Sequence, residues 1–233
     1  MAKPMLPADT RLLADAEAVA AEACRLIGDA AQQAIRQRRV FRLVLAGGNT
    51  PRRCYQLLAA TEQDWAAWEI FWSDERCLPA GHPERNDRMA HTVWLAQVPI
   101  PAAQLHPIPV ELGPEIAAAR YGALLAEGPP FDLVLLGMGE DGHTASLFPQ
   151  AAVQDAPVIA VHGAPKPPAE RVSLNYQSLQ ACRQQLVLVC GAEKSSALAA
   201  WQQNARLPIA RSVTNNASLL VDVAAGRLAG LKQ

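Results

Sequence analysis

The sequence LVLLGMGEDGHTASLFP, residues 133–149, indicates the fold class of this protein more clearly than any other stretch. Its first four residues form a continuous apolar run, which is typical of a parallel-sheet strand that helices cover on both faces. Glycine then recurs at Gly137, Gly139 and Gly142, so a glycine-rich loop directly follows the predicted strand. This junction predicts an α/β protein with a functional loop at the carboxyl end of a buried strand.

The three glycines match the GxGxxG pattern of dinucleotide-binding loops, but the surrounding sequence does not fit that kind of site. Such a loop opens a full helix and is followed by an acidic residue at the end of the next strand. Here Pro149 stops the predicted helix within a turn or two, and Asp155 precedes the next apolar run instead of following it. We therefore predict that this loop binds no dinucleotide.

Apolar runs and helical segments alternate along the rest of the chain. The predicted strands lie at residues 41–46, 70–72, 133–136, 158–161, 186–190 and 219–221, and the predicted helices at residues 9–39, 52–60, 115–127 and 194–204. A repeated order of strand, helix and strand is typical of a parallel sheet with crossover helices. The sequence thus predicts a single α/β domain over residues 1–233, with a mainly parallel, Rossmann-like sheet, helices on both faces and a small excursion around residues 80–110.

Composition limits the partners of this chain. Its 233 residues include 21 Lys and Arg against 22 Asp and Glu, a net charge of -1, so we expect no general affinity for nucleic acid or a membrane surface. No run approaches the roughly 20 apolar residues of a membrane span, and no secretory signal is recognisable, which predicts a cytoplasmic protein. The five cysteines are scattered without a CxxC pair, and the histidines lack ligand spacing, so we predict free thiols and no metal site.

The loop Gly47-Gly-Asn-Thr-Pro51 follows the first apolar run and begins a predicted helix. Glycine allows the backbone to turn sharply and to approach a ligand closely. Thr50 is predicted to be the helix N-cap and Pro51 to lie in the first turn, so that free N–H groups at the positive helix end face an anion. A tight, well-capped turn without a ligand explains the same five residues equally well.

The segment Trp72-Ser-Asp-Glu-Arg76 ends the next apolar run with three charged side chains, and a second polar stretch follows at residues 82–87. Arg76 can bind a phosphate or carboxylate through two parallel hydrogen bonds, or stabilise an oxyanion. The alternative is a solvated cluster of ion pairs at the rim of the sheet. These residues alone leave both interpretations open.

His143 is the residue best suited to catalysis, because the neighbouring glycines expose it at a predicted strand end. An imidazole with a pKa near neutrality is the natural general base for activating water. Asp141 can orient this imidazole or bind a substrate hydroxyl. Arg171, after a proline-rich loop, and Lys194, just past a buried run, add positive charge, although an ordinary surface position explains Lys194 equally well.

These segments together resemble one family. With the loops 47–51, 72–76 and 137–149, and the segments Arg171-Val-Ser-Leu and Gly191-Ala-Glu-Lys194, the chain resembles the bacterial type of 6-phosphogluconolactonase over nearly its whole length. The related glucosamine-6-phosphate deaminases continue after the His loop with a sequence of the type Ile-Ala-Phe-Asn-Glu-Pro. Residues 144–149 here read TASLFP and contain no Glu, so the resemblance favours the lactonase.

The resemblance implies hydrolysis of 6-phospho-D-glucono-1,5-lactone to 6-phospho-D-gluconate in the oxidative pentose phosphate pathway. It implies no cofactor, and we expect a monomer or weak homo-oligomer. An aminosugar-6-phosphate deaminase or isomerase and a non-catalytic sugar-phosphate sensor are the alternatives. The expected catalytic residues are His143, Asp141 and Arg76. The residues expected to bind the substrate or its phosphate are Gly47, Gly48, Asn49, Thr50, Asp74, Thr144, Arg171 and Lys194.

Overall fold

The computed structural model of the chain describes residues 6–126, 128–151 and 154–231. The strands are β1 (Asp9–Leu13), β2 (Phe41–Leu45), β3 (Trp68–Trp72), β4 (Asp74–Arg76), β5 (Leu105–His106), β6 (Phe131–Gly137), β7 (Val158–Val161), β8 (Arg171–Leu174), β9 (Cys182–Val189) and β10 (Ala217–Asp222). The helices are α1 (Ala16–Arg38), α2 (Asn49–Ala59), α3 (Asn86–Ala90), α4 (Pro114–Ala126), α5 (Tyr176–Gln180), α6 (Ser195–Gln202), α7 (Pro208–Ser212) and α8 (Val223–Gly226). Within these residues, no helix combines the length and apolar character that crossing a membrane requires.

Seven strands form one sheet in the order β1-β10-β9-β6-β2-β3-β5, and every neighbouring pair is parallel. Strand β2 is buried over its whole length, and β6 is buried except at Gly137. Continuous apolar runs predict strands that are covered on both faces, because neither face can then be left in water. The prediction of a mainly parallel α/β fold is confirmed.

A second sheet is small and antiparallel, with the strand order β4-β8-β7. The apolar run at residues 158–161 forms β7 and therefore belongs to this sheet, not to the parallel one. In the same sheet, the pairing of β4 with β8 places Asp74 opposite Ser173 and Arg76 opposite Arg171. The small sheet thus places the two arginines, which are distant in the sequence, on neighbouring strands.

The predicted helix at residues 9–39 is wrong at its beginning, because residues 9–13 form strand β1. Asp15 ends the extended segment: its carboxylate accepts a hydrogen bond from Ala18 N at 2.8 Å and caps α1. Strand β1 pairs with β10, for example through Leu12 and Val221, at the other end of the chain. Helical periodicity is a local signal, so it cannot reveal a strand whose hydrogen bonds all go to a distant partner.

The predicted excursion around residues 80–110 is fixed to the core by aromatic packing. Helix α3 continues into a π-helical turn at His91–Leu95. From that turn, Trp94 stacks on Tyr55 with ring centroids 5.5 Å apart and meets Trp68 edge-on at 5.9 Å. Strand β5 then returns the chain to the edge of the main sheet beside β3.

Two buried tyrosines complete the hydrogen bonding at the carboxyl ends of neighbouring strands. The Tyr55 hydroxyl accepts from Ala46 N at 3.0 Å and donates to Ala46 O at 2.9 Å, just after β2. The Tyr121 hydroxyl accepts from the backbone N–H of Trp72 at 2.9 Å, at the end of β3. Each strand therefore ends against a side chain from a helix, and the loop that follows leaves from a fixed point.

We expect Tyr55→Phe to lower the free energy of unfolding by about 2 kcal/mol, because the buried N–H and C=O of Ala46 then lose their partner. Urea denaturation monitored by tryptophan fluorescence measures this change. Tyr176→Phe is the matched control, since no hydrogen bond of the Tyr176 hydroxyl is formed within the described residues. Equal stability of Tyr55→Phe and the wild type would contradict the assigned role.

Candidate active site

A cleft of about 370 Å³ opens where the functional loops leave the carboxyl ends of the strands. The predicted site residues in its wall are Gly47, Gly48, Asp74, Arg76, His143, Thr144, Arg171 and Lys194. Asn49, Thr50 and Asp141 lie outside the wall, with Asp141 in contact with His143. The fold thus brings loops from well-separated parts of the chain to one cavity.

His143 is held by Asp141 at one ring nitrogen. Nδ1 lies 2.5 Å from Asp141 Oδ1, and the backbone N–H of His143 donates to the same oxygen at 3.0 Å. Burial opposes ionisation of this carboxyl, but the two hydrogen bonds outweigh burial and lower the pKa of Asp141. A carboxylate acceptor at Nδ1 selects the tautomer with a proton there, which leaves Nε2 as a base.

Two glycines shape the His143 loop for different reasons. A Cβ atom on Gly139 would overlap the imidazole ring of His143, so the backbone at 139 forms the surface on which the ring lies. Gly142 has φ +81°, a conformation that side chains other than glycine rarely adopt. The loop is tightly bent and is also fixed from outside, because Ile209 N donates to Gly142 O at 3.0 Å.

The glycine loop after β2 exposes the N-terminus of α2. The N-cap is Gly48, with φ +107°, and no side chain caps the helix. The prediction that Thr50 is the N-cap is therefore wrong, because Thr50 is the second helical residue. Because Gly48 can adopt this positive φ, the N-cap lies at Gly48, two residues before the predicted position at Thr50. In the described structure the N–H groups of Gly48, Asn49 and Thr50 have no acceptor, so they are available to an anion.

Asp74 is a buried carboxylate in the cleft wall with three side-chain donors, one of which is the adjacent Ser73 hydroxyl at 3.3 Å from Oδ1. Ser146 Oγ donates to its Oδ2 at 2.6 Å, and Asn86 Nδ2 contacts its Oδ1 at 3.3 Å and donates to its backbone oxygen at 3.0 Å. Asn86 also packs directly on the glycine loop, since a Cβ on Gly47 would overlap the Asn86 amide. Asn86 therefore connects the carboxylate to the glycine loop after β2.

Glu75 lies between two cleft residues in sequence, but its side chain points away from the cleft and binds backbone N–H groups. Side chains alternate along β4, so Asp74 and Arg76 face the cleft while Glu75 points the other way. Its carboxylate is 1% exposed and accepts hydrogen bonds from Asn86 N and Asp87 N, each at 2.8 Å. Burial raises the pKa of Glu75 to about 7, against the effect of these bonds. Glu75 thus fixes the beginning of α3 and with it Asn86.

Arg76 and Arg171 form a cationic wall on neighbouring strands of the small sheet. Arg171 is 6% exposed, and its guanidinium donates to the backbone oxygens of Lys166, Pro167 and Pro168 at 2.9–3.3 Å. Burial lowers the pKa of Arg171; the charge of Asp74 opposes this effect, and the charge of Arg76 adds to it. No carboxylate in the described part of the chain lies within 4.0 Å of either guanidinium, so both charges can be neutralised by a ligand.

Lys194 and Thr144 add two groups that suit an oxygen-rich ligand. The Lys194 ammonium is partly exposed in the cleft, and its nearest acid is Glu193 at 4.0 Å. Thr144 is 1% exposed, and its hydroxyl has no hydrogen-bond partner among the residues that the structure describes. A buried hydroxyl without a partner is unfavourable, so a ligand oxygen in the cleft would satisfy it.

Sequence reasoning missed three residues that the fold brings to this site: Asn86, Ser146 and Lys166. Ser146 lies within the quoted motif, but only the tertiary contact with Asp74 shows its use. Asn86 belongs to the polar stretch at residues 82–87, and its position beside Gly47 has no local signal. Recognising a strand at residues 74–76 could have separated Glu75 from the cleft residues by alternation alone.

The fold and the cleft define an α/β protein with cationic side chains in a cavity at the carboxyl ends of its strands, and comparison with known proteins gives the family. The sequence model described as "Glucosamine-6-phosphate isomerases/6-phosphogluconolactonase" matches residues 14–221, and the chain belongs to this family. It is 36% identical over 197 residues to a 6-phosphogluconolactonase of Nostoc sp., covering 81% of this chain and 82% of that protein.

Solved structures agree with this assignment. The crystal structure of 6-phosphogluconolactonase from Thermotoga maritima superposes with a TM-score of 0.85 at 27% identity, over 91% of this chain and 98% of that one. A monomeric glucosamine-6-phosphate deaminase has a TM-score of 0.84 at 18% identity, over 94% of this chain and 99% of its own, which shows that the fold is shared. The predicted relation of the fold to both enzymes is confirmed.

We expect the substitutions Gly47→Ala and Asn86→Ala to be strongly non-additive. Alone, Gly47→Ala forces the Asn86 amide away from its place, and Asn86→Ala removes a buried donor, each at a cost of about 2 kcal/mol. Together they cost at least about 1 kcal/mol less than the sum, because the new methyl group occupies space that Asn86 vacates. Urea denaturation of the wild type, the two single variants and the double variant gives the four free energies of unfolding of this double-mutant cycle.

Gly137→Ala is the control for this cycle, because a Cβ at 137 meets nothing within 4 Å. Its free energy of unfolding should stay within about 0.5 kcal/mol of the wild type. Additive losses in the double variant would show that Gly47 and Asn86 are not in the assigned contact.

Proposed function

We propose that this protein hydrolyses 6-phospho-D-glucono-1,5-lactone to 6-phospho-D-gluconate. The observation that carries the proposal is the His143–Asp141 pair in a cleft whose other walls present arginine, lysine and a free helix N-terminus. Membership of the lactonase and isomerase family and the likeness to named 6-phosphogluconolactonases support the same activity. A general base beside an anion-binding wall is what hydrolysis of a phosphorylated lactone requires.

In the proposed reaction, His143 is the general base. Nε2 takes a proton from a water molecule whose oxygen bonds to the lactone carbonyl carbon, and the carbonyl oxygen becomes an oxyanion. When the tetrahedral intermediate collapses, the bond from that carbon to the ring oxygen breaks, and the imidazolium returns its proton to the leaving oxygen. Asp141 keeps the proton on Nδ1 and stabilises the imidazolium.

The remaining predicted site residues would hold the two ends of the substrate. We assign the phosphate to the N–H groups of residues 48–50, to Arg171 and to Lys194, because these groups are free of carboxylate partners or nearly so. Arg76 would stabilise the oxyanion or the phosphate, and Asp74 and Thr144 would bind sugar oxygens. Asn49 and Thr50 would act through their backbone, since their side chains lie outside the cleft wall.

The same proposal extends to the domain organisation, location and partners of the protein. We infer one catalytic domain, because the buried hydrophobic residues form a single cluster. We further propose action in the cytoplasm, as a monomer or weak homo-oligomer, on a small phosphosugar and without nucleic acid, membrane, metal or cofactor. The absence of a Glu after the His loop supports the lactonase over the deaminase.

We expect His143→Ala to lower kcat by about 10²–10⁴-fold, because the attacking water loses its general base. The measurement uses freshly generated lactone and subtracts its spontaneous hydrolysis. His162→Ala is the control: His162 is an exposed histidine held by Glu115 and Glu170 outside this cleft. If His143→Ala kept kcat within a few fold of the wild type, another group would be the base.

We expect Arg171→Ala to raise KM by about 10–100-fold and to change kcat much less, because it removes a charged partner of the bound phosphate. Steady-state kinetics separate the two constants. Arg211→Ala, which removes an exposed guanidinium lying over the ring of Tyr176, is the matched control. An effect of Arg171→Ala on kcat alone would contradict a phosphate-binding role.

A further inference from the structure

One ion pair connects two loops that wall the cleft, and the mechanism above does not use it. Lys166 Nζ lies 2.6 Å from Glu140 Oε1, and both residues line the cleft. Lys166 belongs to the loop between β7 and β8, whereas Glu140 lies between Gly139 and Asp141 in the His143 loop. The ammonium is therefore held beside the catalytic loop by a carboxylate of that same loop.

The backbone of Lys166 is fixed although its side chain is exposed. The buried Arg171 guanidinium donates to Lys166 O at 2.9 Å, and Ala164 N donates to Ala169 O at 3.0 Å across the base of the loop. The side chain of Lys166 is 62% exposed and that of Glu140 is 50% exposed. The ammonium can thus change partners by side-chain rotation while the loop stays in place.

Glu140 lies in the field of two lysines. Its pKa is lowered by the hydrogen bond from Lys166 and by that residue's charge, and the charge of Lys194 acts in the same direction. Lys194 is one of the cations assigned above to the phosphate. Glu140, Lys166 and Lys194 all line the same cleft, so the carboxylate shares its wall with cations that a bound phosphate would contact.

We propose that Lys166 is a further binding residue for the phosphate group of the substrate, and that Glu140 holds its ammonium at the cleft until that group enters. The proposal rests on the proposed function, because the lactone supplies the phosphate. An exposed ion pair contributes little net stability, so it exchanges easily. A phosphate monoester carries up to two negative charges and three acceptor oxygens, so it competes well with a single carboxylate for an ammonium.

The test compares Lys166→Gln and Glu140→Gln, which remove one charge each at nearly unchanged size. Titration calorimetry with inorganic phosphate and with 6-phospho-D-gluconate gives the affinity without turnover. We expect Lys166→Gln to weaken binding by about 10-fold or more, and Glu140→Gln to strengthen it by about threefold because Lys166 is then unoccupied. Loss of affinity in both variants would show that the pair only braces the two loops and would overturn the proposal.

A substrate without the phosphate group tests whether Lys166 contacts the phosphate or the sugar. With D-glucono-1,5-lactone, which lacks the phosphate, Lys166→Gln should retain the kcat/KM of the wild type. An equal loss of kcat/KM on both lactones would show that Lys166 contacts the sugar and would overturn the proposal.

The proposed function and the phosphate contact can fail separately. A wild type that binds phosphate but hydrolyses no lactone would refute the proposed function. Opposite affinity shifts in Lys166→Gln and Glu140→Gln would still support the phosphate contact. Glu17→Gln, which breaks the exposed Glu17–Arg53 pair of 2.6 Å, is the matched control and should leave the affinity unchanged.

Discussion

The parallel direction of the seven strands of the main sheet is the constraint on which this structure depends. Because every neighbouring pair is parallel, each strand begins at the same edge, and the chain must cross back over the sheet after every strand. The loops after β2, β6 and β9 therefore meet at the carboxyl edge. Buried tyrosine hydroxyls satisfy the backbone where β2 and β3 end, so the loops after these two strands leave from points that hydrogen bonds fix.

In the loops at this edge, functional side chains pack directly against the backbone of glycine residues. Gly47 and Gly139 have ordinary backbone angles, but a side chain on either would overlap Asn86 or His143. Gly48 is different, since its positive φ lets it start helix α2 and expose the free N–H groups. The glycines of the two loops thus serve two separate needs, space for a neighbouring group and a backbone angle, and the functional groups lie against main chain instead of against flexible side chains.

The charges of the cleft explain how a chain with a net charge of -1 can bind an anion. Four cationic side chains line the cavity, and two of them, Arg76 and Arg171, have no carboxylate within ion-pair distance in the part of the chain that the structure describes. The guanidinium of Arg171 is buried, and three backbone oxygens accept its hydrogen bonds. These cationic side chains share the cleft wall with two carboxylates, Asp74 and Glu140, so the excess of positive charge is local.

The features that short segments of sequence encode could be predicted before the fold was known. Continuous apolar runs predicted the buried parallel strands. The motif left two roles open for Asp141, orienting His143 or binding a substrate hydroxyl, and the structure joins the two side chains at 2.5 Å. Three features required the folded chain: residues 9–13 form an edge strand, β4 and β8 bring Arg76 beside Arg171, and Asn86 and Lys166 reach the cleft. The physical reason is that these contacts join residues far apart in the chain, whereas periodicity and motifs report only on neighbours in sequence.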